Sequence, residues 1–318
     1  MLALLVCGFL LGTTAIARAP FSSIVVFGDS LCDTGRMVAL TGGAFPAPPN
    51  YAWGRQSNGP VWHEYLSSWL GMSDAVLNYA VVGAMTAPAP GYPTGNVWSD
   101  TFPGLEGTDL TSQVLDYLSD VGGVADPEAL YILEGGSNDF PRVANPAIIV
   151  PHLAQLFGML QASGARHIMV MNLPDPGKTA RVILGEEMGV LPPGSGAYFS
   201  AVAALINDAL SATLDSMTAP GVTIIHADAY TFLNNVAAMP ADYGMINVQY
   251  PYLLFGAGTD PAEWLFWDDL HPTTRGHQIF ADEVLVTLLR SYSPRNAKAG
   301  PAPVQSLRGL TIRIPNGK

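Results

Sequence analysis

The stretch VVFGDSLCDTG, residues 25–35, passes from branched apolar residues into a polar turn that holds Asp29, Ser30 and Asp33. Near the other end, WDDLHPTTRGH, residues 267–277, places Asp268 and Asp269 just ahead of His271. Serine, histidine and aspartate together are the set that acyl transfer uses. A serine hydroxyl is too weakly acidic to attack an ester at neutral pH unless a base takes its proton in the transition state. The near-neutral pKa of histidine suits it to that task, and the imidazolium that forms needs an orienting anion. Two further stretches hold groups that an oxyanion requires. NYAVVGA delivers Gly83, where a missing Cβ lets a substrate oxygen approach the backbone, and YILEGGSNDF delivers Gly136 and Asn138, the latter an uncharged donor. Simpler roles compete for some of these residues. A serine after a strand is commonly an N-cap, and Asp29 and Asp139 suit the tying of their own turns.

Those residues need a scaffold, and its pattern is legible. Short apolar runs at residues 24–27, 76–82, 129–133, 167–171 and 222–226 are rich in branched or aromatic residues and are closed by Gly, Pro, Asn or Asp. Between them Leu110, Val114, Tyr117, Leu118 and Val121 recur at helical spacing, as do Val202, Leu205, Ile206, Ala209, Leu210 and Met217. Residues 148–161 and 275–290 read as two more helices. Strands separated by helices imply parallel pairing through right-handed crossovers, and therefore a three-layer α/β/α sandwich around a central parallel sheet. In such a sheet ligands bind where the carboxyl ends of strands meet loops, which is where Ser30, Gly83 and Asn138 fall.

GDSL at residues 28–31, Gly83, GSND at residues 136–139 and Asp268 to His271 resemble, in order, the four blocks of the GDSL family of esterases and lipases, also called SGNH hydrolases. GRQSNGPVW at 54–62 and NLPDPGKT at 172–179 resemble segments of its longer, secreted bacterial and plant-lipase-like branch, so the resemblance spans about residues 21–289. Any one block is a common turn composition; four in the right order are specific. One departure is Val82, where many relatives have a second glycine before the block that Gly83 represents.

The resemblance implies the flavodoxin-like SGNH hydrolase fold rather than the α/β-hydrolase elbow, whose second glycine is replaced here by Cys32. It implies hydrolysis of carboxylic esters through an acyl-enzyme, with no cofactor and no metal. Ser30 is then the nucleophile, His271 the base, and Asp268 the orienting acid in preference to Asp269, because the family's aspartate lies three before its histidine. The oxyanion donors are the backbone N–H groups of Ser30 and Gly83 and the side-chain amide of Asn138. The implied substrate is a small-molecule ester or lipid. An acyltransferase or phospholipase on the same site is the neighbouring alternative, and a non-catalytic binding module is the distant one.

Composition narrows the partners. The chain has 318 residues, 49% hydrophobic and 13% charged, with a formal charge of −12 and lysine only at positions 178, 298 and 318, so no basic face awaits nucleic acid. Peripheral contact with a lipid surface is compatible with that composition. Residues 1–19 are an apolar run ending in small residues, the pattern of a signal peptide, which sets the expectation of a secreted or periplasmic protein with a hydrolase domain over 20–293 and a basic tail over 294–318. Loss of that leader removes Cys7 and leaves Cys32 alone, as a small packing residue. Residues 42–50, 87–107 and 234–267 read as long loops, in or beside which Tyr51, Trp53, Trp98 and Phe102 are candidates to line an acyl pocket. His63 and Glu64 read as surface or packing residues, since the second histidine of a zinc-protease helix is missing, and His277 as a supporting or solvent-facing residue of the last helix.

Overall fold

β1 (Ile24–Phe27) and β3 (Leu130–Leu133) are buried at every position, as strands covered on both faces must be. They are the middle of a five-stranded parallel sheet in the order β2-β1-β3-β4-β5, with β2 at Val76–Asn78, β4 at His167–Met171 and β5 at Thr223–Ala227. The computed structural model describes residues 20–142 and 145–292, so the expected leader over 1–19, Ser293 and the expected tail over 294–318 lie outside the described residues. The helices are α1 (Arg36–Leu40), α2 (Trp62–Trp69), α3 (Leu110–Asp120), α4 (Ile149–Ser163), α5 (Ala180–Glu187), α6 (Ser195–Met217), α7 (Ala229–Ala238), α8 (Tyr252–Phe255) and α9 (Thr274–Ser291).

The two-residue period of each strand divides the core. Val25, Phe27, Tyr131 and Leu133 face a layer made by α3, α4 and α6 through Val114, Leu156, Phe157 and Leu210. Ile24, Val26, Leu130 and Ile132 face the opposite layer, where α2 and α9 contribute Trp62, Leu66, Phe280 and Leu285. This is the expected three-layer sandwich. Each large side chain that is fully withdrawn from water contributes about 1.5–3 kcal/mol.

Two local expectations change. The strand expected over 76–82 ends at Asn78, whose side chain accepts from Ala80 N–H and donates to Cys32 carbonyl; beyond it Tyr79 and Val81 N–H still donate to Val26 and Gly28 carbonyls, but the regular pairing stops. The region 234–267 is no open loop: it holds the end of α7, then β6 (Asn247–Pro251), α8 and β7 (Trp264–Phe266), with β6 and β7 paired in parallel. Pro240, Gly244, Pro251, Gly256 and Pro261 interrupt every periodic run there, so the elements are too short to show a period. The small sheet matters to the site because β7 leads directly into Asp268 and His271.

Candidate active site

Ser30 lies three residues past β1 in a turn that the surrounding core holds from several sides. Gln113 of α3 accepts from Gly28 N–H at 2.9 Å and donates back to Gly28 carbonyl at 3.0 Å, while Glu134 at the end of β3 accepts from Asp29 N–H at 2.9 Å. Asp29 carbonyl then receives the N–H groups of Cys32 and Asp33, closing the turn. A Cβ on residue 28 would lie 2.8 Å from Glu134 Oε2 and 3.0 Å from Cys32 Cβ, which is why glycine stands there. Asp33 accepts from the N–H groups of Gly35, Arg36, Met37 and Val82, fastening the turn to α1 and to the segment that carries Gly83.

The β7–α9 turn brings His271 to this serine across 241 positions: Ser30 Oγ lies 2.8 Å from His271 Nε2. The other ring nitrogen, Nδ1, is 2.8 Å from Asp268 Oδ2 and 2.9 Å from Oδ1. That carboxylate fixes the tautomer, with the proton on Nδ1 and a lone pair on Nε2 facing the hydroxyl. Asp268 Oδ1 also receives the N–H groups of Leu270 and His271, and Oδ2 receives the Tyr51 hydroxyl at 2.9 Å. Burial alone would raise Asp268, but the charge of His271 and these hydrogen bonds hold its carboxyl down at about 2. Burial alone would depress His271, yet Asp268, aided by Asp29, outweighs it and lifts the imidazole above its ordinary value. Asp269, the alternative acid, turns away and pairs with Arg181 at 2.7 and 3.1 Å.

On the other side of Ser30 two backbone N–H groups, those of Ser30 itself and of Gly83, donate to no protein acceptor among the described residues. Gly83 has φ +81°, and a Cβ there would come within 2.5 Å of Trp98 and 2.8 Å of Asn96. Asn138 lies beside them, but its amide differs from expectation in one respect: both N–H bonds are already directed to protein acceptors, Asp29 Oδ2 and Ala84 carbonyl, each at 3.0 Å. Ser30, Gly83, Asn138, Asp268 and His271 all line one cavity of about 600 Å³. Its walls are largely apolar, with Phe45 and Trp98 at one flank, Phe140 and Phe199 at another, and Phe232 and Phe280 toward the core. A hydroxyl hydrogen-bonded to an imidazole, beside donors with no protein acceptor among the described residues in an apolar cavity, is suited to acyl transfer.

The profile of the GDSL-like lipase/acylhydrolase family matches residues 24–284. The chain belongs to this family. Among curated relatives it is similar to the thermolabile hemolysin of Vibrio parahaemolyticus, 25% identical over 284 residues that cover 83% of this chain and 63% of that protein. It is 28% identical over 326 residues to esterase EstA of Pseudomonas aeruginosa, covering 84% of this chain and 46% of that one. A shorter stretch of 170 residues, 52% of this chain, is 32% identical to the phosphatidylcholine-sterol acyltransferase of Aeromonas hydrophila and covers 48% of it. The chain thus spans about half to two thirds of the length of these relatives.

The remaining candidates of this GDSL-family chain fall into place around the cavity. Tyr51 and Trp98 line it, Phe102 packs behind it on Phe45 and Trp98, and Trp53 is 87% exposed and takes no part. Asp139 ties the third block to the second, accepting from the N–H and hydroxyl of Thr86, rather than closing its own turn. Asp29 receives Leu31 N–H in its own turn and also Asn138. His63 is buried on α2 with Nε2 on Cys32 carbonyl, and Glu64 pairs with Arg55. His277 does not face solvent: it is buried on α9, pushed down to about 3 by its burial and by the neighbouring histidines, and therefore neutral. Cys32 packs in the apolar layer beneath Ser30. Among the described residues no three His, Cys, Asp or Glu side chains converge as metal ligands.

Two residues escaped the sequence reading. Tyr51 is a candidate pocket residue by type, but nothing in its neighbourhood foretells a bond to a residue 217 positions away. Glu134 closes the apolar run YIL, and an acid at the end of a fully buried strand is the signal that was available. It is 1% exposed, and burial followed by the neighbouring Asp29 pushes its carboxyl well above the ordinary glutamate value. Its Oε1 has no partner, as suits a neutral carboxyl in an apolar setting. A folded-state pKa raised above the unfolded value means that stability falls as pH climbs from the ordinary glutamate value toward the raised one. Glu134→Gln removes that proton while keeping an acceptor for Asp29 N–H. The variant is expected to match the parent at about pH 4 and below and to gain on it by up to about 1.4 kcal/mol per pH unit above the ordinary glutamate value, in urea unfolding followed across pH. Parallel curves would show that Glu134 folds as the anion.

Proposed function

We propose that this domain hydrolyses carboxylic esters through an acyl-enzyme formed on Ser30. The observation that carries this reading is the continuous relay from Ser30 Oγ through His271 to Asp268, facing two unpartnered backbone N–H groups in one apolar cavity. His271 Nε2 takes the hydroxyl proton as Oγ bonds to the ester carbonyl carbon, and Asp268 stabilises the imidazolium so formed. The carbonyl oxygen becomes the oxyanion, received by Ser30 N–H and Gly83 N–H; Asn138 supplies the third bond by sharing an N–H now held by Asp29 or Ala84. Such donors contribute about 100-fold or more each. The C–O bond to the alcohol then breaks and His271 returns its proton to the departing oxygen. Water repeats the sequence on the acyl-serine and releases the acid.

Similarity to an acyltransferase over 170 residues supports a second reading on the same chemistry, in which an alcohol replaces water in the second half. Both are tested by initial rates on p-nitrophenyl esters of increasing acyl length, with and without an acceptor alcohol. Hydrolysis is the expected result, and the best chain length reports the acyl room in the cavity. Formation of a new ester in preference to the acid would favour the transferase; inertness toward every ester would overturn both.

A further inference from the structure

The segment that follows α1, residues 41–61, crosses the sheet's carboxyl edge and is fastened to the β7–α9 turn at several points. Trp267 Nε1–H donates to Asn50 carbonyl at 2.8 Å, Ser57 Oγ–H to Pro272 carbonyl at 2.9 Å, and Thr274 N–H and Oγ1–H to Asn58 Oδ1 and Pro60 carbonyl at 2.8 and 2.9 Å. Among these bonds, the one from Tyr51 ends on the triad itself. Three donors to Asp268 come from its own turn: Leu270 N–H, His271 N–H and the His271 ring. Tyr51 Oη–H is the donor that arrives from a different part of the chain, and it shares Oδ2 with the ring N–H.

We propose that Tyr51 is a positioning residue of the active site, which sets both the orientation of the Asp268 carboxylate and the strength with which that carboxylate holds the His271 proton. The proposal rests on the reading of Ser30, His271 and Asp268 as the acyl-transfer relay. Its physical basis is competition: a donor on Oδ2 stabilises the carboxylate and withdraws part of its charge from the imidazole. Among the described residues it is also the one hydrogen bond to this carboxylate from outside its own four-residue turn. The hydroxyl keeps its proton throughout the working range, since burial and then Asp268 push it far above the ordinary tyrosine value.

Other titratable and charged groups also face His271, and the test must leave them in place. They are Asp29 from the turn after β1, Arg181 from α5 and His277 from α9, with Asp269 in the same turn bound to Arg181. Tyr51→Phe touches none of them and keeps the ring against the cavity. It should lower kcat by about 10- to 100-fold with little change in KM, the cost of one bond to a charged group. It should also raise the His271 pKa by about half a unit, moving the acid limb of the rate profile upward.

The decisive measurement is the His271 titration by imidazole NMR in the full chain, which reads the coupling whether or not a given ester is turned over. Ser57→Ala, which loosens the same segment without touching Asp268, serves as the comparison and should leave His271 where it is. Replacing Tyr51 with 3-fluorotyrosine, a stronger donor of nearly the same shape, should move His271 the opposite way, and it preserves the fold should Tyr51→Phe lose it. An unmoved His271 in both Tyr51 variants, or an equal rise in Ser57→Ala, would overturn the proposal. Loss of ester turnover in the parent with the His271 shifts intact would instead refute the functional reading alone.

Discussion

Ser30→Ala is expected to lower ester hydrolysis by about 10⁴- to 10⁶-fold, the loss that follows when the proposed nucleophile of a relay is removed while its other parts stay. The hydroxyl is bonded to the His271 ring, with the Asp29 carboxyl, itself held by Leu31 N–H and Asn138, as its other polar neighbour, so alanine leaves the bonds that close the turn in place. The turn is closed by Asp29 carbonyl, Glu134 and Gln113 through backbone N–H and C=O groups, bonds that the substitution leaves in place. The variant should therefore unfold within about 1 kcal/mol of the parent, and its KM should hold, since the cavity walls are unchanged. The backbone N–H groups of residues 30 and 83 also remain, which leaves a weak residual rate over water. Rates measured beside thermal unfolding check both halves. A variant that folds and retains more than about a tenth of the parent rate would show that Ser30 does no covalent chemistry.

Asp268→Asn is the second large effect, at about 10⁴-fold in kcat. Asparagine retains the Oδ1 acceptor for the N–H groups of Leu270 and His271, so the turn survives, but an amide cannot hold the imidazolium and sets the wrong tautomer against Ser30. The pH profile gives a separate sign. On the proposed mechanism hydrolysis needs neutral His271, whose pKa the parent's Asp268 raises, so the parent is expected to gain activity only above the ordinary histidine value near 6.5. In Asp268→Asn the remaining activity should appear at lower pH. Stability carries the matching mark: Asp268 is depressed to about 2, so its contribution is present above the ordinary aspartate value and fades as pH falls toward 2. Asp269→Asn, which breaks only the half-exposed pair with Arg181, should keep the rate within about threefold. Equal losses in the two variants would mean that both aspartates share the role.

The parts of this molecule that were legible from the sequence are those written in local chemistry. β1, β3 and β4 are continuous apolar runs because both faces of a parallel sheet are covered, and such runs need no partner to be recognised. The four blocks could be ordered along the chain because each sits at a strand end or in the terminal loop. What escaped is non-local. Tyr51 meets Asp268 only because the segment after α1 folds back over a turn 217 positions later. The amide of Asn138 is engaged by Asp29 and by Ala84, and neither bond has a trace in the four residues around it. The small sheet of β6 and β7 was hidden for a different reason: strands of five and three residues, broken by proline and glycine, are shorter than any period that would reveal them.

The most direct test of the central claim is covalent capture of the nucleophile. An alkyl fluorophosphonate, which a hydroxyl attacks only when a base removes its proton, is incubated with the domain, and the products are read by intact-mass and peptide mass spectrometry. One phosphonyl adduct per chain, located on Ser30, absent from Ser30→Ala and slowed by several orders of magnitude in His271→Ala, is the predicted result. An adduct on another residue, or equal labelling of the parent and Ser30→Ala, would contradict the assignment of Ser30 as the attacking group.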